Sequence, residues 1–436
     1  MEIHRGYKTE LRPNNKQRTL FRKHCGIARY AYNWALNRVS TRTSKPNGMK
    51  LSKEWNAWKK ENIPWWTETS KCAPQSALFD LEDAFKKFFS NCKKKKKGQH
   101  KGKPGYPQFK SKKDTKQSFS LTGAIHVESK RIKLPRIGWV RLKEKNYIPL
   151  NAHILSITVS HRADRWFISV QVKEEREPPE MQPEGVCGSD VGIKTLLTCS
   201  DGTTHGNPQP LRKELKRLKK KQRTHSRRGK CRECYLSDDP KIKKQHSCDH
   251  CEGKNRDKSR KAVANLHFHI SEIREDYWHK ITSYLTKTKL VNVIEDLCSS
   301  GMLKNHKLAL SLSDCAFGEF KRQMKYKSVW NDTYLLLADR FYPSSKLCSC
   351  CGWKNKDLTL ADRTFVCKEC GLVLDRDLNA AKNLENYYYL FLLFLVKYST
   401  VSSTETGCVV KSMTDAFGEA SSDYMHAGVV NLASVN

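Results

Sequence analysis

The chain has 436 residues, 38% of them hydrophobic and 29% charged, and its 81 lysines and arginines against 45 acids give a formal charge of +36. This is the composition of a soluble protein of roughly two to four domains with at least one buried core. Self-repulsion of that size opposes a compact fold, so the charge points to a polyanionic partner, nucleic acid first and an anionic membrane surface second.

The opening residues Met1 to Arg5 are charged where a secretory signal would need an apolar stretch to follow, so no export is expected. The 17 cysteines are then expected as thiols and metal ligands in a reducing compartment. Leu20, His24, Ile27, Ala31 and Trp34 recur at helical steps, as do Leu78, Leu81, Phe85 and Phe88. These stripes read as core, and the first hundred residues read as helical. The unbroken Lys93–Lys97 run, continued by Lys101, Lys103, Pro104 and Gly105, predicts a solvated basic loop that also meets phosphate.

From about Tyr106 to Val172 the period changes to two, as in Leu155-Ser-Ile157-Thr-Val159 and Trp166-Phe-Ile168-Ser-Val170. A small antiparallel barrel or sheet is predicted there, followed by a linker around Pro178, Pro179 and Pro183. Next come a strand carrying Asp190 and a long basic helix. Between Leu211 and Lys230, 11 of 20 residues are lysine or arginine, opposed by Glu214 alone. A second strand spans Leu290 to Leu297, with helical sequence expected through about Leu337. The longest apolar run, Tyr387 to Val396, falls short of the ~20 residues a bilayer requires and predicts a buried helix. The Ser-, Thr- and Gly-rich residues after it are expected to be mobile.

Two four-cysteine clusters stand out. Cys348-x2-Cys351-x15-Cys367-x2-Cys370 has the spacing of a zinc ribbon, in which two knuckles converge four thiolates on one tetrahedral ion. Gly352 and Gly371 suit the tight turn after each knuckle, and Cys350 is an alternative to Cys351 within the first. Cys231-x2-Cys234-x13-Cys248-x2-Cys251 is as regular, with His246 and His250 as spare ligands. It reads as a metal-stapled module inserted into a larger domain. Closed four-thiolate shells are structural, since they leave no open coordination position.

Three acidic positions have distinctive settings. Asp190 lies in Gly188-Ser-Asp-Val-Gly-Ile-Lys194, where small neighbours would let a bulky ligand approach. Glu295 ends Val291-Asn-Val-Ile294, and Asp375 and Asp377 open Asp-Arg-Asp-Leu-Asn-Ala-Ala-Lys-Asn383, whose alanines suit close packing on a sheet. Taken singly, such acids are most often salt bridges or caps. Gathered together, they form a thiol-free oxygen site suited to two magnesium or manganese ions and phosphodiester hydrolysis.

Together with Leu308-Ala-Leu-Ser-Leu-Ser-Asp-Cys-Ala-Phe-Gly-Glu-Phe320, Tyr342-Pro-Ser-Ser-Lys-Leu-Cys348 and the opening Gly26-Ile-Ala-Arg-Tyr-Ala-Tyr-Asn-Trp34, these segments resemble the TnpB family. Its members are transposon-encoded RNA-guided nucleases related to type V CRISPR effectors. The likeness runs from residue 1 to about 390. It implies an α/β multidomain fold whose RNase H-like (RuvC-type) nuclease domain, residues 181–345 and 371–390, carries the triad Asp190, Glu295 and Asp377, with Asp375 as second candidate for the third acid. It further implies a β-rich wedge domain over 1–10 and 105–180, a helical recognition domain over 11–104, and a zinc ribbon over 346–370. The Cys231–Cys251 module, 229–255, departs from many family members, and 391–436 would be a flexible tail.

The implied activity is cleavage of double-stranded DNA directed by a guide RNA from the transposon end and by a target-adjacent motif. The implied cofactors are two Mg2+ (or Mn2+) ions and two structural Zn2+ ions. Pairing would read sequence while the protein reads backbone and a short motif, which calls for a basic surface. Lys71 and Gln75, one turn apart, resemble the segment that meets the adjacent motif, and Lys219, Lys220 and Lys221 are candidates for phosphate contacts. A cytoplasmic, nucleoid-associated protein of a prokaryote, without membrane attachment, is expected. The alternatives are a minimal type V CRISPR effector and a nuclease-inactive RNA-guided DNA-binding repressor.

Overall fold

A computed structural model describes residues 2–99, 102–112, 117–175, 183–229, 253–359 and 361–399. The chain divides into two compact units, Met1–Arg176 and Glu177–Asn436.

In the first unit, β1 (Glu2–Arg12) leads into α1 (Asn15–Ser40), α2 (Gly48–Asn62), a single 3-10 turn (Pro64–Glu68) and α3 (Cys72–Lys96). Six strands follow: β2 (Gln117–Leu121), β3 (His126–Glu128), β4 (Arg131–Leu134), β5 (Gly138–Leu142), β6 (His153–Arg162) and β7 (Arg165–Glu175). They form a seven-stranded antiparallel sheet in the order β2-β6-β7-β1-β5-β4-β3. The helical reading of the first hundred residues therefore fails at the start. β1 sits mid-sheet, paired with β7 from Glu2↔Glu175 to Leu11↔Trp166. Its alternation is masked in sequence because Lys, Arg and His separate the inward Ile3, Thr9 and Leu11.

Helix α1 starts on a capping box between Asn14 and Gln17 and buries Phe21, His24, Ile27, Ala28 and Ala31. These pack in one continuous core with Leu78, Leu81 and Phe85 of α3 and the sheet residues Ile157, Val159, Ile168 and Val170. The lysine run is also not a loop: Lys93–Lys96 form the last turn of α3, with Lys97 at its C-cap. Lysine is a good helix former, and cations at a helix C-terminus are favoured by the backbone dipole.

The second unit opens with β8 (Val186–Asp190), β9 (Thr195–Cys199) and β10 (Thr204–Gly206), then α4 (Pro210–Arg228), α5 (Lys254–Thr288) and β11 (Val291–Glu295). It continues through α6 (Ser299–Met302), α7 (Ala309–Cys315), α8 (Phe317–Asn331) and β12 (Tyr334–Ala338). A short hairpin, β13 (Thr364–Val366) with β14 (Val373–Asp375), precedes α9 (Arg376–Ser399). The five-stranded sheet has the order β10-β9-β8-β11-β12. β11 runs parallel to β8 and β12, whereas β9 is antiparallel to both of its neighbours. The helical reading through Leu337 ends too late, because Leu335-Leu-Leu337 is the interior of β12, an apolar run too short to declare its period.

Side chains on β11 alternate between two cores. Val291 and Val293 pack with Leu384 of α9. Ile294 instead joins Trp278, Ile281 and Leu285 of α5 and Phe320 and Met324 of α8. The sheet is thus covered by α9 on one face and by α5 with α8 on the other. The run opening at Tyr387 is helical as predicted but, among its described side chains, only partly buried: Tyr389, Leu390 and Leu393 of α9 are 47%, 56% and 66% exposed. The first turns of α9, at Ala380, Ala381 and Leu384, are pressed fully onto the sheet, and Tyr387 and Tyr388 pack partly buried against the same core. Among the described residues, no helix is long and apolar enough to cross a membrane. The Pro178–Pro183 linker (up to 182), the Cys231–Cys251 module with His246 and His250, and the tail from 400 onward lie outside the described residues.

Candidate active site

Strand register determines where the acids point. Val293 of β11 pairs with Gly188 of β8, and Val293 faces α9. Side chains repeat every two residues along a strand. Glu295 and Asp190, each two residues further on, therefore emerge on that same face at the C-terminal ends of adjacent parallel strands. Helix α9 arrives there with Asp377 in its first turn.

The helix reaches the strand because position 188 has no side chain. A Cβ there would collide with the Ala381 carbonyl oxygen and come within 2.5 Å of the Glu385 backbone nitrogen. Of the small residues flanking Asp190, Gly188 thus admits the α9 backbone, while Gly192 lies against the Thr195 carbonyl. Ala380 and Ala381, both buried, complete the close approach.

Asp190 feels the other two carboxylates. Asp190 is pushed well above the usual carboxylate range, first by burial and then by the negative charges of Glu295 and Asp377, with Arg376 the opposing cation. Burial also raises Glu295, against a hydrogen bond from Ser344 that favours its ionised form. By surface area both acids remain half-buried, so the site is open on one side. Asp377 is half-buried and takes the Arg376 guanidinium at 3.4 Å.

Neighbouring acids serve other purposes. Asp375 is exposed and accepts the backbone N–H groups of Asp377 at 2.9 Å and Leu378 at 3.1 Å, so it caps α9. Asp296 turns to Lys321 and Arg340, which hold its carboxyl below the ordinary range despite burial.

Ser344 has no role in the sequence reading, although it lies within the Tyr342–Cys348 motif. Its hydroxyl donates to Glu295 Oε1 at 2.6 Å. Asn379, Asn383 and Asn386 on one face of α9 grip the segment around it. The Asn383 side-chain amide donates to the carbonyls of Ser344 and Leu347, both at 2.7 Å. Asn379 donates to the Leu347 carbonyl at 2.6 Å and accepts the Ser349 N–H at 3.0 Å, and Asn386 donates to the Ser349 carbonyl at 2.9 Å. Asparagine is a poor residue inside a helix. Three at helical spacing were the available signal that this face holds a polar loop.

That loop leads directly into Cys348. Cys348, Cys351, Cys367 and Cys370 bring their sulfurs within 4.8 Å of one another. The pairs Cys348–Cys370 and Cys351–Cys367 are each 3.5 Å apart. Four thiolates on a tetrahedral zinc at a Zn–S length of ≈ 2.3 Å would lie roughly 3.8 Å apart, so this donor set fits that ion. Gly352 and Gly371 have φ of +77° and +74°, the left-handed turns the knuckles require. Cys350 is exposed and outside the group. In a second convergence, Glu275, His279 and Glu319, the Glu319 carboxylate is bound by Arg322 at 2.5 and 2.9 Å and by Gln323 at 2.9 Å.

The basic helix α4 buries little beyond Pro210 and Leu218, which packs with Leu266 and Ile270 of α5. Lys219 and Lys220 are exposed and Lys221 is half-buried. The start of α4 has no cap of its own. Instead buried Asp314 of α7 accepts the N–H groups of Leu211 and Arg212, each at 3.0 Å, and pairs with Arg274 at 3.3 Å. In the first unit, Lys71 and Gln75 are exposed one turn apart, joined by the Gln75 N–H to Lys71 carbonyl bond of 3.4 Å.

With this geometry in view, likeness to known proteins is informative. The chain is 32% identical over 392 residues to a Streptomyces pristinaespiralis protein named as an RNA-guided DNA endonuclease, covering 88% of this chain and 89% of that one. The chain belongs to the TnpB family. A second relative, InsQ of Escherichia coli K12, carries the same description and is 28% identical over 400 residues, 87% of this chain and 90% of its own. Three family models match: a helix-turn-helix domain at 1–45, a probable transposase at 169–306 and a Cas12f1-like TNB domain at 317–384. A Cas12f1–sgRNA–target DNA complex aligns over 88% of this chain and 99% of its own with 15% identity and a TM-score of 0.31.

Proposed function

We propose that this protein is an RNA-guided DNA endonuclease. It hydrolyses the phosphodiester backbone of duplex DNA at one centre formed by Asp190, Glu295 and Asp377. The observation that carries the reading is the convergence of these carboxylates. Two lie at the C-terminal ends of adjacent parallel strands and one on the first turn of the helix packed across them. A mixed five-stranded sheet with its second strand antiparallel, covered by helices on both faces, is consistent with an RNase H-like (RuvC-type) nuclease domain. The seven-stranded sheet is the wedge candidate, and α1 to α3 the recognition helices.

The donor set fits hard divalent cations. Among the described residues, the Arg376 guanidinium is the cation that opposes the charge around Asp190 and Asp377, leaving negative charge that Mg2+ or Mn2+ would neutralise on oxygen ligands. When bound, such ions supply the activated water and the charge stabilisation that phosphodiester hydrolysis needs. The chain's own residues do the rest. Asp190 and Glu295 are aimed by strand register, Asp377 is carried by the first turn of the helix packed on Gly188, and Ser344 restrains Glu295. The Cys348–Cys370 thiols would hold a structural zinc. The exposed lysines of α4 would meet phosphates of a guide RNA encoded at the transposon end.

The test is to sequence the RNA that copurifies with the protein and to supply duplex DNA matched to its variable end. Magnesium-dependent cutting of the matched duplex, and none of a scrambled one, is expected. Equal cutting of both, or none of either, would overturn the reading.

A further inference from the structure

Among the described residues, Glu295 is the acid of the three whose carboxylate is restrained by a side chain from outside its own element. A strand-end glutamate has several rotamers, and an ion site gains affinity when its ligands are already oriented. Ser344 provides that restraint. It is 4% exposed, its backbone N–H donates to the Tyr342 carbonyl at 2.9 Å, and its hydroxyl is 2.6 Å from Glu295 Oε1. A hydroxyl so placed donates, since an ionised carboxylate only accepts. Among the described residues it is the hydrogen-bond partner of Glu295, and the carboxylate keeps lone pairs for an ion.

What fixes Ser344 lies on α9, the helix that also carries Asp377. Asn383 is 2% exposed and Asn379 fully buried, and both spend their amides on the 344–349 backbone. One rigid helix therefore sets the third acid and, through these amides, the hydroxyl that orients the second.

We propose that Ser344 is a positioning residue for divalent-ion binding, holding Glu295 in its ligating orientation with Asn379 and Asn383 as its support. This rests on the nuclease reading of the three carboxylates. The ribbon shares the consequence: the loop that presents Ser344 continues into Cys348, so a disturbed ribbon also loosens Glu295.

The test uses Fe2+ alone as the probe on the guide-loaded full chain, with ascorbate and peroxide. The ion cuts the polypeptide backbone beside its site, and fragments ending near 190 and 295 are quantified by mass spectrometry. Ser344→Ala should raise the Fe2+ concentration for half-maximal cutting about tenfold, the usual effect of losing an outer partner of a metal ligand. Ser344→Thr, which keeps the hydroxyl, should match the wild type. Ser344→Cys fills the space with a feeble donor and should behave as Ser344→Ala does, with zinc content and guided DNA binding unchanged in all three. If Ser344→Ala and Ser344→Cys both cut at wild-type Fe2+ while Glu295→Gln abolishes cutting, the proposal for Ser344 is wrong and the ion site stands. If Glu295→Gln also cuts as wild type, the ion site itself is wrong.

Discussion

Single carboxylates here are distinguished by what each already touches. Asp375 spends its oxygen on two backbone N–H groups, whereas Asp377, two residues on, adds its charge to that of Asp190. Asp375→Ala should cost about 1 kcal/mol of stability as a lost cap and leave cleavage of matched DNA intact. Asp377→Ala should leave stability nearly unchanged and abolish cleavage. Thermal melting and a cleavage assay on the two variants separate them, and the opposite pattern would assign the third acid to Asp375. The sequence left these two open because the motif contains both, and only the helix boundary tells cap from first turn. Ser344 was illegible for a related reason: a hydroxyl 49 residues from its carboxylate partner carries no local signal.

At the scale of elements, the closest tolerance is between β8 and α9. Gly188→Ala would force its Cβ against the Ala381 carbonyl, backbone on backbone with no rotamer to yield. Destabilisation of roughly 3 kcal/mol is expected, the upper end for overpacking, with cleavage lost because Asp377 is carried away from Asp190. A melting temperature equal to wild type would show that the strand and helix do not approach as described. Cys348→Ser and Cys367→Ser should each lower zinc by one ion per chain, read by elemental analysis, since three thiolates no longer close a tetrahedral shell. Periodicity found the elements whose faces differ, such as α1 and the β6–β7 pair. It failed where an element is apolar throughout, as in β12 and Tyr387–Val396, or mostly polar, as in β1 and the Lys93–Lys96 turn. In those segments the environment comes from tertiary packing, and composition cannot show which side is covered.

Over the whole molecule the charge of +36 remains the largest single fact. A long described stretch of it is α4, anchored at its start by Asp314 and otherwise barely buried. Replacing Lys219, Lys220 and Lys221 by alanine should flatten the dependence of guide RNA affinity on log salt by about two units, near 0.7 to 0.9 for each phosphate no longer neutralised. An unchanged slope would assign these lysines to solvent. The measurement that bears most directly on the account compares guided DNA binding with DNA cleavage in Asp190→Ala, Glu295→Ala and Asp377→Ala. Binding draws on base pairing and on many basic residues, while cleavage draws on one cluster of negative charge. Each variant should therefore bind matched duplex as the wild type does and fail to cut it in magnesium. Guided cutting by all three at wild-type rate would contradict the assignment of this site.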